Sequence, residues 1–293
     1  MRLKMHATTA YCRAKKGHYM GKGIVFVVSD AFESFAANAD VVSYTTLMRA
    51  IEAGTFSAQQ IVMGQGMDEI RRRTVRRALV ENGFDEIVNI VDVHTKPVDR
   101  LLVHKRKAEN VCIEELSAVG DGRFSSRLML DDRCADMSDH ATGQHIQGTV
   151  LIEASRQMMM AGVEMHSFQQ ADRGNYQYTL NDYSVTFRQF VFPLQVDIDL
   201  CILKHDIDKR GVMSLELTVA FSQLQARVCD AYCIANGYPM ERIKRMEAHQ
   251  AQRTVTAAKN YLLQRLSADS DNRSPLIDPA KINVTAISLE DSL

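Results

Sequence analysis

His140 and His145 stand five residues apart, Gly148 follows, and Glu153, Arg156 and Gln157 lie beyond it in a run that is otherwise strongly apolar. A helix entering a hydrophobic core normally excludes a carboxylate, because a buried unpaired charge is costly or forces the group to take up a proton. Glu153 is therefore paired, held at a helix edge, or chemically useful. In the last case, partial burial raises its pKa toward the working range, as a general base requires. His145, with His140 as a second candidate, is of the type that orients an acceptor or shuttles a proton. Gly148 at a helix start leaves backbone N–H groups free to polarise a carbonyl, and the helix dipole helps to stabilise a developing oxyanion. Arg156 lies three residues after Glu153 on nearly the same helical face, so it either pairs with that carboxylate or meets an anionic group of a ligand. Gln157 is placed to fix the carboxylate by a hydrogen bond. Each residue also has a plainer reading: an intrahelical ion pair, loop histidines bonded to backbone, and a glycine that simply begins a helix.

These side chains need a buried helix to hold them. Residues 148–165 are apolar nearly all round, through Val150, Leu151, Ile152, Ala154, Met158, Met159, Met160, Val163 and Met165. Glu153, Arg156 and Glu164 exclude a membrane span for this segment. The Met158–Met160 run reads as core packing, with a pocket for a flexible chain as the alternative. Around this helix the pattern is β-rich. Residues 110–116 and 123–130 read as strands about the Gly120-Asp121-Gly122 turn, and residues 169–182 read as a polar loop. Period-two alternation then runs through Tyr183, Val185 and Phe187, through Leu194 to Ile202, and through Leu215 to Phe221, with residues 228–234 finishing the sheet. One long buried helix followed by such a meander implies an antiparallel sheet wrapped around it, over residues 103–238.

Ahead of it, residues 24–95 predict a small α/β unit. Its strands fall at 24–28, 60–63 and 87–91. One helix forms around Tyr44, Leu47, Met48 and Ile51 and stops near Gly54. A second is capped by Asp68 and runs to Asn82-Gly83, with Ile70, Val75, Leu79 and Val80 inward and Arg71, Arg72, Arg73, Arg76 and Arg77 outward. Gly64-Gln65-Gly66 before that helix is either a tight turn or a weak phosphate-binding loop. Residues 1–23 form a basic arm, residues 240–266 an amphipathic helix, and the end from Ser267 is polar and loose.

The chain has 293 residues, with 35 basic and 36 acidic side chains. A net charge this small supplies no field for nucleic acid or an anionic membrane. Six scattered cysteines without a CxxC pair, and the want of an apolar leader, lead us to expect free thiols and a cytoplasmic setting. Cys229 and Cys233 have no nearby histidines in sequence, so neither a metal site nor a resident cofactor is expected.

The run from His145 through Gly148 and Glu153 to Arg156-Gln157 resembles the signature of the A-factor biosynthesis hotdog family: Asp-His-x-x-Gly, an apolar run, then Glu-Ala-x-Arg-Gln. Val103-His104-Lys105 through Ile113 is similar to that family's leading strand, and Phe187-Arg188-Gln189-Phe190-Val191 with Pro193-Leu194 to its later strands. Gln144 stands where the family has aspartate, and Gln147 where proline is common. The resemblance covers residues 103–235 and implies a hotdog fold, α+β in class. It implies a transferase that moves a β-ketoacyl group from acyl carrier protein to the hydroxyl of dihydroxyacetone phosphate, toward γ-butyrolactone signals. In that setting Glu153 is the base for the accepting hydroxyl, the Gly148 amide polarises the thioester carbonyl, and Arg156 and Gln157 contact substrate or carboxylate. A dehydratase or thioesterase, and a non-catalytic acyl- or lactone-binding module, are the alternatives. The single copy of the motif implies a homodimer with sheets joined edge to edge.

Overall fold

A computed structural model describes residues 23–92, 96–135 and 143–271, with side chains to residue 266. His140 lies outside these residues. In the first part, β-branched runs build short buried strands: β1 (Ile24–Val28), β2 (Val41–Ser43), β3 (Gln60–Met63) and β4 (Asn89–Val91) form a parallel sheet in the order β2-β1-β3-β4. Two helices, α1 (Tyr44–Glu52) and α2 (Glu69–Glu81), connect its strands. Ser43 caps α1 by accepting the Thr46 N–H, and Asp68 caps α2 by accepting the Arg71 N–H at 2.7 Å. Leu47, Ile51, Ile61, Met63, Val75 and Leu79 close one hydrophobic cluster here.

The inward face of α2 differs from expectation. Ile70 and Val80 are exposed, whereas Arg72 is only 1% exposed. The buried face runs through Arg72, Val75, Ala78 and Leu79, a 3–4 spacing that turns Arg72 inward and Ile70 and Val80 away. Arg72 approaches Asp92 at 3.8 Å, and burial lowers its pKa.

The second part is a six-stranded antiparallel sheet in the order β5-β6-β8-β9-β10-β7. Its strands are β5 (Ser117–Gly120), β6 (Arg123–Arg127), β7 (Tyr176–Phe187), β8 (Asp197–Ile207), β9 (Met213–Gln223) and β10 (Ala226–Pro239). Alternation in β9 buries Met213, Leu215, Leu217, Val219 and Phe221 beneath α3 (Gly148–Ser167), whose Met158, Met159 and Met160 are core residues. Gly162 permits the close approach of helix and sheet, since a Cβ there would stand 2.1 Å from Leu200 Cδ2. This is the hotdog architecture, α+β, a sheet wrapped about one central helix.

Three local expectations are corrected. Residues 110–116 make isolated bridges at Ile113 and Glu114 rather than a strand, because Val111–Glu114 are buried in succession and cannot alternate between two faces. Residues 176–182, expected as loop, belong to β7. Their polar side chains suit an edge strand whose partner among the described strands is β10. The C-terminal helix α4 (Met240–Asp271) continues past Ser267.

The two parts meet at Gly64-Gln65-Gly66. The Gly64 N–H bonds Val27 O, the Gln65 N–H bonds Pro193 O, and the Gly66 N–H bonds Leu130 O. The buried Gln65 side chain donates to Leu128 O (2.9 Å) and Leu194 O (3.2 Å) and accepts the Leu130 N–H (2.9 Å). With all three amides engaged, this segment is a joint and not a phosphate loop.

Candidate functional site

The residues at the start of α3 border a pocket. Ile146 is fixed by its N–H to Val191 O at 2.8 Å, and Gln147, the N-cap residue, makes no side-chain cap bond. The first helical N–H groups, Gly148 and Thr149, have no intrahelical acceptor by the geometry of a helix start. A cavity of about 370 Å³ opens here, lined by His145, Gly148, Leu151, Phe187, Phe190 and Val191 among others. The His145 and Phe190 rings lie 4.9 Å apart. The Phe187 ring tip sits on the glycine, for a Cβ at position 148 would be 2.8 Å from Phe187 Cζ. His145, Gly148 and the rings of Phe187 and Phe190 are thus brought to one cavity.

Glu153 lies five residues further along, about 7.5 Å down the helix axis, and is not among the residues lining that cavity. Its side chain is 17% exposed. Arg156 grips both carboxylate oxygens, Nε to Oε2 and Nη2 to Oε1, each at 2.8 Å. Lys105 Nζ reaches Oε1 at 2.8 Å, and Gln157 Nε2 donates to the same oxygen at 2.8 Å. Burial pushes the Glu153 carboxyl up, but the bonds from Arg156, Lys105 and Gln157 outweigh it and hold the group below its ordinary value. The expectation that burial raises this pKa is therefore corrected: three donors keep the carboxylate ionised. Arg156 takes the ion-pair alternative.

Gln157 is fully buried and ties the network to the segment that crosses the helix. Its Oε1 accepts the Cys112 N–H at 2.8 Å, and its Nε2 donates to Asn110 O at 2.9 Å. Lys105 belongs to the same crossing segment, which turns through His104 at φ 53°, a left-handed conformation rare outside glycine. Sequence reasoning noticed Val103-His104-Lys105 as a matching segment but assigned neither side chain a role. The available signal was a lysine beside a lone core carboxylate, and nothing in linear order joins them.

A second carboxyl, Glu164, is wholly buried on α3. It accepts the Tyr178 hydroxyl and the Gly174 N–H, both at 2.9 Å, and burial raises its pKa despite those bonds. His104 stacks on Tyr178 at 6.2 Å between ring centroids, and burial lowers its pKa. Glu164 pins the turn after the helix to the first residues of β7. Among the described residues no group of three or more His, Cys, Asp or Glu could hold a metal ion, and no helix is long and apolar enough to cross a membrane.

Comparison with solved structures finds likenesses of low identity, three of which follow. A dehydratase heterocomplex from Xenorhabdus doucetiae is 19% identical, with 50% of this chain and 92% of that one covered, at a TM-score of 0.38. A mutant thioesterase from Pseudomonas aeruginosa is 13% identical, with 50% and 97% covered and a TM-score of 0.35. A conserved protein from the same organism is 16% identical, with 48% and 100% covered, also at 0.35. No curated protein matches the chain. The A-factor biosynthesis hotdog domain, however, matches residues 89–237, which reach from β4 through β10 and make up just over half of the sequence; the chain belongs to the A-factor biosynthesis hotdog family.

Proposed function

We propose that this hotdog protein binds acyl thioesters and transfers a β-ketoacyl group from acyl carrier protein to a small hydroxylated acceptor, with dihydroxyacetone phosphate as the model acceptor. The observation that carries this reading is the cavity at the start of α3, lined by His145 and Gly148 together with Phe187 and Phe190. An acyl chain takes the apolar wall, and the thioester carbonyl takes the helix N–H groups, which stabilise the oxyanion formed on attack. His145 orients the attacking hydroxyl or relays its proton. Glu153 is the general base; being ionised, it is in the accepting form. Arg156 and Gln157 hold its orientation. Two copies pair edge to edge through β7, the outer strand of the described sheet.

The salt-linked state of Glu153 favours one alternative, a non-catalytic acyl- or lactone-binding module. Incubating purified protein with β-ketoacyl carrier protein, with and without dihydroxyacetone phosphate, separates the possibilities. Thiol release that depends on the acceptor supports transfer. Release without acceptor supports a thioesterase, loss of water from a hydroxyacyl thioester supports a dehydratase, and binding without turnover supports the module. A strictly monomeric mass by light scattering at micromolar concentration would refute the dimer.

A further inference from the structure

Glu153 has three donors, and they are not equivalent. Arg156 and Gln157 rise from the same helix, one turn away, and Gln157 is locked at both ends by Cys112 and Asn110. Gln157 cannot leave without unmaking the buried crossing. Lys105 alone comes from outside the helix, on a loop turned by the left-handed His104 and held by Lys105 N–H to Arg100 O at 2.8 Å. Its ammonium reaches Glu153 Oε1 at 2.8 Å from that loop, and moving it aside breaks no bond within α3. We infer that Lys105 is a positioning residue of the acyl-transfer site, one that holds the Glu153 carboxylate in place and withholds it from proton transfer until the ammonium moves aside.

The inference rests on Glu153 being the base, as proposed above. A carboxylate gripped by three donors accepts a proton poorly, because protonation forfeits charge-assisted bonds. Removing the one donor that comes from outside the helix raises basicity and leaves the bonds within α3 in place. The charged and titratable groups around the carboxylate are Arg156 on its own helix, Lys105 and the Cys112 thiol on the crossing segment, and the Tyr183 phenol on β7. A hydrogen bond with Cys134, together with burial, raises Cys112, and burial raises Tyr183 to about 12, so both stay neutral near neutral pH. Lys105 is then the charge from outside the helix that tunes Glu153.

The test compares full-length wild type, Lys105→Met and Lys105→Arg by two readouts. The first is the carboxyl carbon resonance of Glu153, assigned by its loss in Glu153→Gln and followed against pH. The second is the pH profile of acceptor-dependent thiol release from β-ketoacyl carrier protein. Expected are a Glu153 titration at higher pH in Lys105→Met, an acidic limb of kcat/KM moved the same way, and a return toward wild type in Lys105→Arg. If the Lys105→Met titration superimposes on wild type, the inference is overturned. If wild type releases no thiol at any pH, the proposed transfer fails, while the resonance still decides whether Lys105 governs the carboxyl. Should Lys105→Met not fold, Lys105→Gln, which keeps a donor of similar reach without charge, takes its place in both readouts.

Discussion

Gln157→Glu keeps the shape of a fully buried side chain while turning a donor into an acceptor, and its consequence can be worked through. The new carboxylate can still accept the Cys112 N–H, which now meets Oε1 of Gln157 at 2.8 Å. Its other oxygen would face Glu153 Oε1 at 2.8 Å and Asn110 O at 2.9 Å, where the amide now donates. Two carboxylates at that separation repel by about 6 kcal/mol at an effective dielectric of about 20. Keeping a proton on the new group relieves this and restores a donor toward Glu153. Holding that proton at pH 7 on a group with an ordinary value of about 4.3 costs about 4 kcal/mol, so proton uptake is the cheaper route. The lost bond to Asn110 O adds about 1 kcal/mol, giving about 5 kcal/mol in all at pH 7. Because the folded state then binds a proton that the unfolded state releases, stability falls as pH rises and recovers by about 1.4 kcal/mol for each unit of acidification toward pH 5. Urea unfolding of variant and wild type at pH 5, 6 and 7 measures both the loss and its slope. A loss below about 1 kcal/mol, or one that does not change with pH, would refute the donor assignment of Gln157 and with it the described network.

Further outcomes follow from the same geometry. Gln65→Ala leaves two buried carbonyls and one N–H without partners, so urea unfolding should show a loss of about 3–6 kcal/mol; a change under about 1 kcal/mol would mean the joint is not held by this side chain. In wild type the Glu153 carboxyl lies below its ordinary value, so its contribution is complete above about pH 4.3 and fades as pH falls through the folded value. Glu153→Gln should accordingly flatten the acid limb of stability measured by urea unfolding, and should lower turnover by roughly two to four orders of magnitude if it serves as base. Gly148→Ala places a methyl against the Phe187 ring, which is half-exposed and can turn at a cost of about 1 kcal/mol. Thermal unfolding should move little, while acyl-thioester affinity measured by calorimetry should fall roughly tenfold; unchanged affinity would remove the helix start from the binding site.

How much of this was legible beforehand depended on whether the physics was local. The strand at Ile24–Val28, the strand at Gln60–Met63 and the Asp68 cap were readable because a β-branched run and a capping side chain act on their own neighbours. The central helix is readable from its apolar surround, whereas the cavity lies at His145 and Gly148 and not at Glu153, the residue the sequence reading placed in a pocket. Arg72 is hidden because five arginines within seven positions look like a solvated face, and only the register of Val75, Ala78 and Leu79 shows that one of them must turn in. The first half of β7 was hidden because an edge strand needs no apolar alternation once β10 supplies its hydrogen bonds. Lys105 was hidden for a stronger reason: it meets Glu153 across 48 residues of chain, and no local pattern encodes that pairing.

The joint between the two parts bears on what the first part does. In open parallel sheets the carboxyl ends of the strands, next to helix starts, are the usual place for ligands. Here that edge carries Ser29 after β1 and Gly64-Gln65-Gly66 after β3, followed by the capped start of α2. Ser29 and the Gln65 amide are buried, and the Gly64, Gln65 and Gly66 N–H groups already meet carbonyls of Val27, Pro193 and Leu130. Asp68 and Arg71 at the helix start are engaged by Arg133 and Asp132 of the hotdog. The same hotdog segments continue to the site: Val191, two residues from the Pro193 carbonyl, holds Ile146 at the cavity, and Gln144 bonds Ser34 O in the first part at 2.8 Å. The surface that other α/β units offer to a small molecule is in this chain an anchor that fixes both flanks of the loop carrying His145. A change at Gln65 should therefore reach the cavity through Pro193, Val191 and Ile146 before it reaches Glu153, whose network is tied to the crossing segment instead.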